Sequence, residues 1–272
     1  MLDTADSMAI AASAWFATLG EATTPSMVQD LFLEDSYWRD AVGLGPGLET
    51  ISGRAPISEG LSAALSASGD FKFSVDPTVL PQWVTRVEIE TLEVFFAFET
   101  DTGRGRGILR LCPDQDGALK AWTLLTALEE IKGHEEMSGA NRPTGQSHSR
   151  DFRGPNWLDQ RRVAEAYADR DPTVLVVGGG QAGLAIAARL TQLGVDTLIV
   201  DKNARIGDNW RNRYHALTLH NQVQVNHLPY MPFPPSWPTY IPKDKLANWF
   251  EAYVDAMELN FWTGTELTAG QY

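Results

Sequence analysis

The sequence predicts an α+β, cone-like domain over residues 1–132, followed by an α/β domain over residues 157–272. The first half combines helical apolar stripes with a long run of alternating strands, which is typical of helices packed on one curved sheet. The second half opens with an apolar, β-rich run followed at once by glycines, as in domains built on a parallel sheet. Residues 133–156 lack periodicity and gather Gly, Ser, Asn, Arg and Pro, so they indicate a linker.

The composition excludes several classes of partner. The chain has 35 acidic and 22 basic residues, and its formal charge of -13 would repel a phosphate backbone, so nucleic acid is not an expected partner. Cys112 is the only cysteine, which excludes an intrachain disulfide and favours the cytoplasm. Asp3 and Asp6 stand where a secretory signal would be basic, and no apolar run approaches the ~18 residues of a membrane span.

The elements of the first domain follow from periodicity. An apolar stripe at helical spacing predicts one helix, and Thr24-Pro25 has the order of an N-cap and a first helical residue for a second. Four strands are predicted from alternating polarity, with a change of phase near Thr91 that indicates a bulge or bend. The helical stripe is Ala11, Ala12, Trp15, Phe16 and Leu19, and the strands cover 84–89, 92–100, 107–112 and 118–128.

This element order resembles the nuclear-transport-factor and ketosteroid-isomerase-like fold. Two segments carry the resemblance, Tyr37-Trp38-Arg39-Asp40 and Ile51-Ser52-Gly53-Arg54. Such domains bind a small ligand, isomerise a steroid or mediate dimers. Because a fold does not confer a function by itself, ligand binding or a homodimer through this domain is favoured over catalysis.

A glycine fingerprint opens the second domain. The apolar run at 173–177 predicts a parallel strand covered by helices on both faces. In the six residues that follow, GGGQAG at 178–183, Gly178 permits a tight turn and Gly180 lets the backbone approach a pyrophosphate. Gly183 lets the next helix pack closely on the strand, and the N-terminus of that helix faces the anion.

The pattern extends beyond the glycines. A helix is predicted over 184–193 and a second strand over 197–200, and Asp201 follows 18 positions after Gly183. A carboxylate at about this distance accepts hydrogen bonds from a ribose, which disfavours NADP at this site. NAD and the AMP half of FAD both remain open from the spacing alone.

The segment 205–214, RIGDNWRNRY, resembles one in the flavin-containing monooxygenases and their Baeyer–Villiger relatives. These families place a Gly-Gly-x-Trp segment and an Arg-Tyr pair next to the flavin, shortly after the ribose acid. The likeness covers 171–265, and it is strongest to the subset in which a cone domain precedes the flavin domain. Two departures are Asp208, in place of the second glycine, and His215-Ala216, where many relatives have Pro-Gly.

The resemblance implies an FAD- and NADPH-dependent, N,N-dimethylaniline-monooxygenase-like oxidoreductase acting on a small organic substrate. In the family, NADPH reduces the flavin and oxygen then forms a hydroperoxide at its C4a carbon, so no residue is assigned as an acid or base. The sequence does not identify the substrate. The residues expected to contact FAD are Gly178, Gly180, Gln181, Ala182, Gly183, Asp201, Lys202, Trp210 and Arg211.

Three interpretations stay open. The first is the flavin monooxygenase, with a flavin domain that is incomplete at its C-terminus and therefore not expected to turn over NADPH alone. The second is another FAD- or NAD-linked oxidoreductase, disfavoured as a disulfide reductase because Cys112 has no partner. The third is a non-enzymatic ligand-binding or dimerisation protein with a vestigial nucleotide fold. No metal is expected, since the three histidines between 215 and 227 lack ligand spacing on one helix.

Overall fold

The structure is a computed structural model that describes residues 4–144 and 153–271. The chain divides into two compact units, Met1–Glu135 and Glu136–Tyr272. The first is an α+β unit and the second an α/β unit with a parallel sheet, which confirms the predicted fold class. The predicted limits at 132 and 157 stay predictions, and part of the predicted linker, 145–152, lies outside the described residues.

Three helices belong to the first unit. Helix α1 (Ala5–Glu21) begins with a capping box formed by Thr4 and Ser7. Helix α2 (Pro25–Gln29) has Thr24 as its N-cap, as the sequence predicts. Helix α3 (Arg54–Ala67) was not predicted, because its small Ser, Ala and Gly residues give a weak apolar stripe.

Seven strands form one sheet in the order β2-β1-β7-β6-β5-β3, with β4 paired to β5, and the first three of them, β1 to β3, were not predicted. Strands β1 and β7 are parallel and the other pairs are antiparallel. The strands are β1 (Phe32–Ala41), β2 (Leu48–Ser52), β3 (Lys72–Val75), β4 (Gln82–Arg86), β5 (Ile89–Glu99), β6 (Gly103–Pro113) and β7 (Leu119–Ile131).

Two details of the predicted strands are wrong. The change of phase near Thr91 is a two-residue turn at Val87 and Glu88, both with positive φ, rather than a bulge. Such a turn usually contains Asn or Gly, so its sequence signal was missing. Strand β6 begins at Gly103 instead of 107, since Gly105 and Gly107 lie inside the strand and leave space for the rings of the phenylalanines opposite them on β5.

Aromatic side chains fill the interior of the first unit. Phe16 of α1 stacks on Phe73 with ring centroids 5.1 Å apart and lies 4.7 Å from the ring of Phe96. Trp15 donates its indole N–H to the carbonyl of Leu31. The helices and one face of the sheet therefore enclose a packed core.

The second unit is a Rossmann-type arrangement. Its parallel sheet has the order β10-β9-β8. The elements are α4 (Trp157–Ala166), β8 (Val174–Val177), α5 (Gln181–Gln192), β9 (Thr197–Val200), α6 (Asp208–Arg211), α7 (Lys243–Ala256) and β10 (Asn260–Trp262).

Strand β8 differs from its prediction as a strand covered on both faces. Leu175 and Val177 are 44% and 58% exposed, whereas every residue of β9 is buried. The reason is position, because β8 is one of the two edge strands and the described residues cover mainly the face bearing Val174 and Val176.

The first residues after the division between units pack on α5. The backbone N–H of Met137 donates to the carbonyl of Gln192 over 2.7 Å, and Glu136 pairs with Arg189 at 2.7 Å. Arg189 also lies over the ring of Tyr230, and burial raises the pKa of Tyr230 to about 12. No helix in the described ranges has the length and apolar character needed to traverse a bilayer.

Candidate cofactor-binding site

The glycine loop, residues 178–183, connects β8 to α5 at the carboxyl end of the sheet. Gly178 has φ +99°, a conformation that favours glycine, and its N–H donates to the carbonyl of Val200 over 2.8 Å. A Cβ on Gly183 would lie 1.9 Å from the carbonyl oxygen of Gly178. The helix therefore packs directly on the turn, as the fingerprint predicts for its last glycine.

The N-terminus of α5 is open to a ligand. Gly180 is its N-cap and no side-chain hydrogen bond caps the helix, so the N–H groups of the first turn have no helical acceptors. A Cβ on Gly180 would lie 3.2 Å from Nδ2 of Asn209. Gln181 is half-buried and Ala182 is exposed. An uncapped helix start beside a residue without a side chain suits an anion such as a pyrophosphate.

Asp201 holds the glycine loop from the end of β9. Its Oδ2 accepts from the N–H of Gly179 over 2.7 Å, and its Oδ1 accepts two bonds of 2.8 Å from the backbone and side chain of Asn203. A carboxylate has about four lone-pair positions, so about one remains for a ribose hydroxyl. Asp201 is thus a structural anchor as well as a candidate ribose ligand.

Arg211 is engaged by protein oxygens. Its guanidinium donates to the carbonyl of Ile206 over 2.6 Å and to Asp208 over 3.1 Å on its own segment. On α7 it contacts Asn248 at 3.0 Å and Glu251 at 3.2 Å. These contacts join α6 to α7 and occupy the two terminal nitrogens, so the Nε–H, which none of them uses, is left for the predicted FAD contact of this residue.

A cleft of about 220 Å³ lies beside the start of α5. Trp210 lines it, and the guanidinium of Arg213 lies 5.2 Å from the Trp210 ring. The indole Nε1 of Trp210 is buried and has no hydrogen-bond partner in the described ranges. Lys202, by contrast, is exposed. The lining residues are Gln181, Trp210, Arg213, Tyr214, Leu217, Thr218, Leu219, His220, Asn221 and Asn226.

Sequence reasoning missed two residues of this region. Asn209 borders the glycine loop, and the Oδ1 of its amide is buried without a partner among the described residues. Lys243 is only 5% exposed and donates from Nζ to the carbonyl of Arg211 over 2.7 Å. Lysine is usually exposed, so nothing in the local sequence marks this position as buried.

The charged side chains around α6 are largely engaged in ion pairs. The guanidinium of Arg205 donates to Glu251 over 2.9 Å. This bond, together with Arg211, lowers the pKa of Glu251 below its usual range. His227 accepts the N–H of Phe233 at Nδ1, which gives it a structural role. No cluster of three or more His, Cys, Asp or Glu side chains in the described ranges is placed to hold a metal.

The residues present fit the adenosine diphosphate portion of a dinucleotide. The loop lacks side chains where a pyrophosphate would approach, the helix start is uncapped, and Asn209 and Trp210 each have a buried polar atom without a partner. These two atoms leave one acceptor, Oδ1 of Asn209, and one donor, Nε1 of Trp210, for a ligand or water to pair with. The cleft is smaller than the ~300–1,000 Å³ of typical ligand pockets, so it suits only part of FAD.

The first unit has a second cleft, of about 340 Å³, between α3 and β1. Asp40 borders it, is 5% exposed, and accepts the N–H of Gly45 over 2.7 Å. Trp38 donates to Thr126, whose hydroxyl donates to Asp40 over 2.6 Å. The walls are mainly apolar or small residues, among them Ile51.

Comparison with known proteins confirms the resemblance of the second unit. Residues 176–236 match a family described as an NAD(P)-binding Rossmann-like domain. The chain is 35% identical over 100 residues to indole-3-pyruvate monooxygenase YUCCA1 from Oryza sativa subsp. japonica, covering 36% of this chain and 25% of that one. It is 41% identical over 101 residues to an uncharacterized CzcO-like oxidoreductase from Geobacillus kaustophilus, covering 36% and 28%. The match thus spans about a quarter of the length of these curated relatives.

Solved structures resemble each unit separately. A flavin-containing monooxygenase from Stenotrophomonas maltophilia is 28% identical, with a TM-score of 0.30 over 33% of this chain and 27% of that one. Nuclear transport factor 2 from Cryptosporidium parvum is 12% identical, with a TM-score of 0.35 over 46% and 94%.

Proposed function

We propose that this chain binds FAD at the N-terminus of α5 and serves an NADPH-linked monooxygenase that acts on a small organic substrate. The observation that carries the proposal is the glycine loop, which Asp201 binds at Gly179 and which leads into a helix without a side-chain cap. Sequence relatives that include a monooxygenase and an oxidoreductase support the reaction class. FAD, when bound, supplies electron transfer and oxygen activation, and the protein supplies binding and orientation.

Each side of the site has its own role. The N–H groups of Gly180, Gln181 and Ala182 would donate hydrogen bonds to the pyrophosphate. The Asp201 carboxylate would accept a hydrogen bond from a ribose hydroxyl at the lone pair that no protein group uses. Trp210 would border the cofactor along the cleft. Arg211 is better suited to positioning Trp210, because its guanidinium already binds α7.

Flavin retention tests the proposal. We expect the purified chain, incubated with FAD and then desalted, to keep a flavin absorbance spectrum. A colourless protein after desalting would contradict the proposal. We also propose that the 272-residue chain alone does not sustain NADPH oxidation under air, because its sequence contains one glycine fingerprint. Sustained turnover with added FAD would overturn this second statement.

A second candidate function is small-molecule binding by the first unit. It is favoured by the cleft beside Asp40, where a buried carboxylate meets largely apolar walls. Asp40 is held by backbone N–H groups and Thr126, which suits binding more than proton transfer. Ala63→Trp would fill the cleft from an exposed position, so it should abolish binding of a small apolar dye. Unchanged dye binding in a folded variant would exclude this cleft as the binding site.

The first unit also suits a homodimer. Phe95, Ile108 and Leu125 are paired across β5, β6 and β7, and all three are half-buried. Side chains alternate between sheet faces, so this row lies opposite the core that contains Phe96 and Leu109. We name the side of the sheet away from this core the outer face and propose that two copies pair through it.

A further inference from the structure

Two carboxylates face each other in the cleft between α3 and β1. Asp40 of β1 and Glu49 of β2 are directly opposite in the register of the two strands, and both line the cleft. The Cβ atoms of such a pair are about 4.5–5.5 Å apart, so like charges at these positions repel each other. The pair therefore places both negative charges at one wall of the cleft.

No cationic side chain of the described residues offsets this charge. Asp40 and Glu49 are the only charged residues among those that line the cleft. Neither forms an ion pair with any other part of the chain that the structure describes. The formal charge of the whole chain is -13, so its field also attracts cations. A positively charged ligand would thus offset the repulsion between the two carboxylates.

The oxygens of Asp40 are already occupied by protein donors. Its Oδ1 accepts from the N–H groups of Gly43 and Leu44 over 3.1 Å each, and from the hydroxyl of Thr126 over 2.6 Å. Its Oδ2 accepts from the N–H of Gly45 over 2.7 Å. A carboxylate has about four lone-pair positions, so none remains for a metal ion or for an N–H donor of a ligand. The charge of Asp40 still acts through space.

The other walls of the cleft are apolar or small. A Cβ on Gly60 of α3 would lie 3.5 Å from the ring of Trp38 and 3.0 Å from Ile51, so these groups approach the helix where it lacks a side chain. The volume of about 340 Å³ falls within the ~300–1,000 Å³ of typical ligand pockets. Walls of this kind contact alkyl groups and give a hydrated metal ion no ligands. The small residues of α3 along the cleft are Gly60, Ala63, Ala64 and Ala67.

We propose that this cleft binds a small organic cation whose charge is covered by alkyl groups, of the substituted-ammonium class. Such a ligand needs no hydrogen bond from Asp40, gains from the charge of both carboxylates, and buries its alkyl groups against the apolar walls. The inference rests on the proposed small-molecule binding by the first unit and adds the chemical class of the ligand.

The test compares two probes of the same shape, choline and 3,3-dimethylbutan-1-ol, in which a neutral carbon replaces the charged nitrogen. Titration of the full chain, followed at the indole N–H signal of Trp38 by NMR, measures both affinities. Choline should bind about tenfold more tightly than the alcohol. Glu49→Gln should weaken choline binding by about threefold or more and leave the alcohol unchanged. Glu90→Gln is the matched control, since it removes the same charge from an exposed residue outside the cleft.

Equal wild-type affinities for the two probes, with both lost in Ala63→Trp, would overturn the inference and leave small-molecule binding by the cleft in place. Equal effects of Glu49→Gln and Glu90→Gln on choline would also overturn the inference. If neither probe binds, or if Ala63→Trp binds both like the wild type, the inference and the binding function of the cleft both fail. The comparison of the two probes in the wild type decides the inference even if a variant does not fold.

Discussion

Gly183 leaves no space for a side chain. A Cβ there would meet the carbonyl oxygen of Gly178 at 1.9 Å, and a backbone atom cannot move aside as a flexible side chain can. Gly183→Ala should therefore displace the start of α5, destabilise the second unit by about 1–3 kcal/mol and weaken FAD binding at least about tenfold. Thermal unfolding and FAD titration measure both effects. Gly270→Ala has open space around it and is the control; similar losses in both variants would contradict the geometric argument.

Glu93 is a buried carboxylate between two arginines of the first unit. It is 3% exposed and accepts from Arg86 over 2.7 Å and from Arg110 over 2.8 Å. The bond from Arg86, with that from Arg110, holds the pKa of Glu93 below its usual range. A lowered folded pKa means that the stabilisation is complete above the unfolded pKa of about 4.3 and is lost as pH falls through the folded pKa.

Glu93→Gln should lower the free energy of unfolding of the first unit by about 1–3 kcal/mol at pH 7. The variant should also lose less stability than the wild type as the pH falls below about 4.3. Urea titrations at neutral and acidic pH, read by pulsed hydrogen exchange on peptides from β5 and β6, measure this. Glu90→Gln, on an exposed residue of the same strand, is the control. An unchanged acid dependence in Glu93→Gln would show that another group controls it.

At the scale of elements, α6 and α7 form one support for the candidate site. Lys243 and Arg211 join the two helices through the carbonyl of Arg211 and the side chains of Asn248 and Glu251. Lys243→Met should leave that carbonyl unsatisfied and cost about 1–3 kcal/mol, with weaker FAD binding as a consequence. Lys245→Met, which changes an exposed lysine on the same helix, should have a smaller effect on FAD affinity. An equal or larger loss of FAD affinity in Lys245→Met would contradict the proposed role of Lys243 in supporting the site.

Elements with a strong local signal could be predicted from the sequence. Thr24-Pro25 marked the start of α2, and the glycine loop marked the turn from β8 into α5. Elements without such a signal could not be predicted. Helix α3 has a small-residue composition, and the Val87–Glu88 turn lacks Asn and Gly. The open face of β8 depends on its place at the sheet edge, which a single segment does not encode.

The candidate site likewise has parts that could be predicted from the sequence and parts that could not. The roles of Gly178 and Gly183 follow from local backbone geometry, so spacing alone indicated them. The additional hydrogen bond from Gly179 to Asp201 and the proximity of Asn209 to Gly180 depend on how distant segments meet. The buried environment of Lys243 is likewise tertiary and carries no mark in the sequence beyond the resemblance.

At the scale of the whole molecule, the outer face of the first unit predicts self-association. Ile108→Asp places a charge in the centre of the half-buried row, so it should shift a dimer to a monomer. Light scattering coupled to size-exclusion chromatography measures the mass. Val163→Asp adds the same charge at a residue of α4 that is 69% exposed, and it should leave the mass unchanged. A monomeric wild type, or a dimer that survives Ile108→Asp, would refute pairing through this face.

The central claim is that FAD binds at the start of α5, and hydrogen–deuterium exchange with and without FAD tests it most directly. Backbone N–H groups that donate hydrogen bonds to a ligand exchange more slowly, so the method locates the site in the intact chain. We expect FAD to slow exchange in peptides covering 178–184 and 207–214 and to leave exchange in the first unit unchanged. Protection confined to the first unit, or no protection in the glycine loop at saturating FAD, would contradict it.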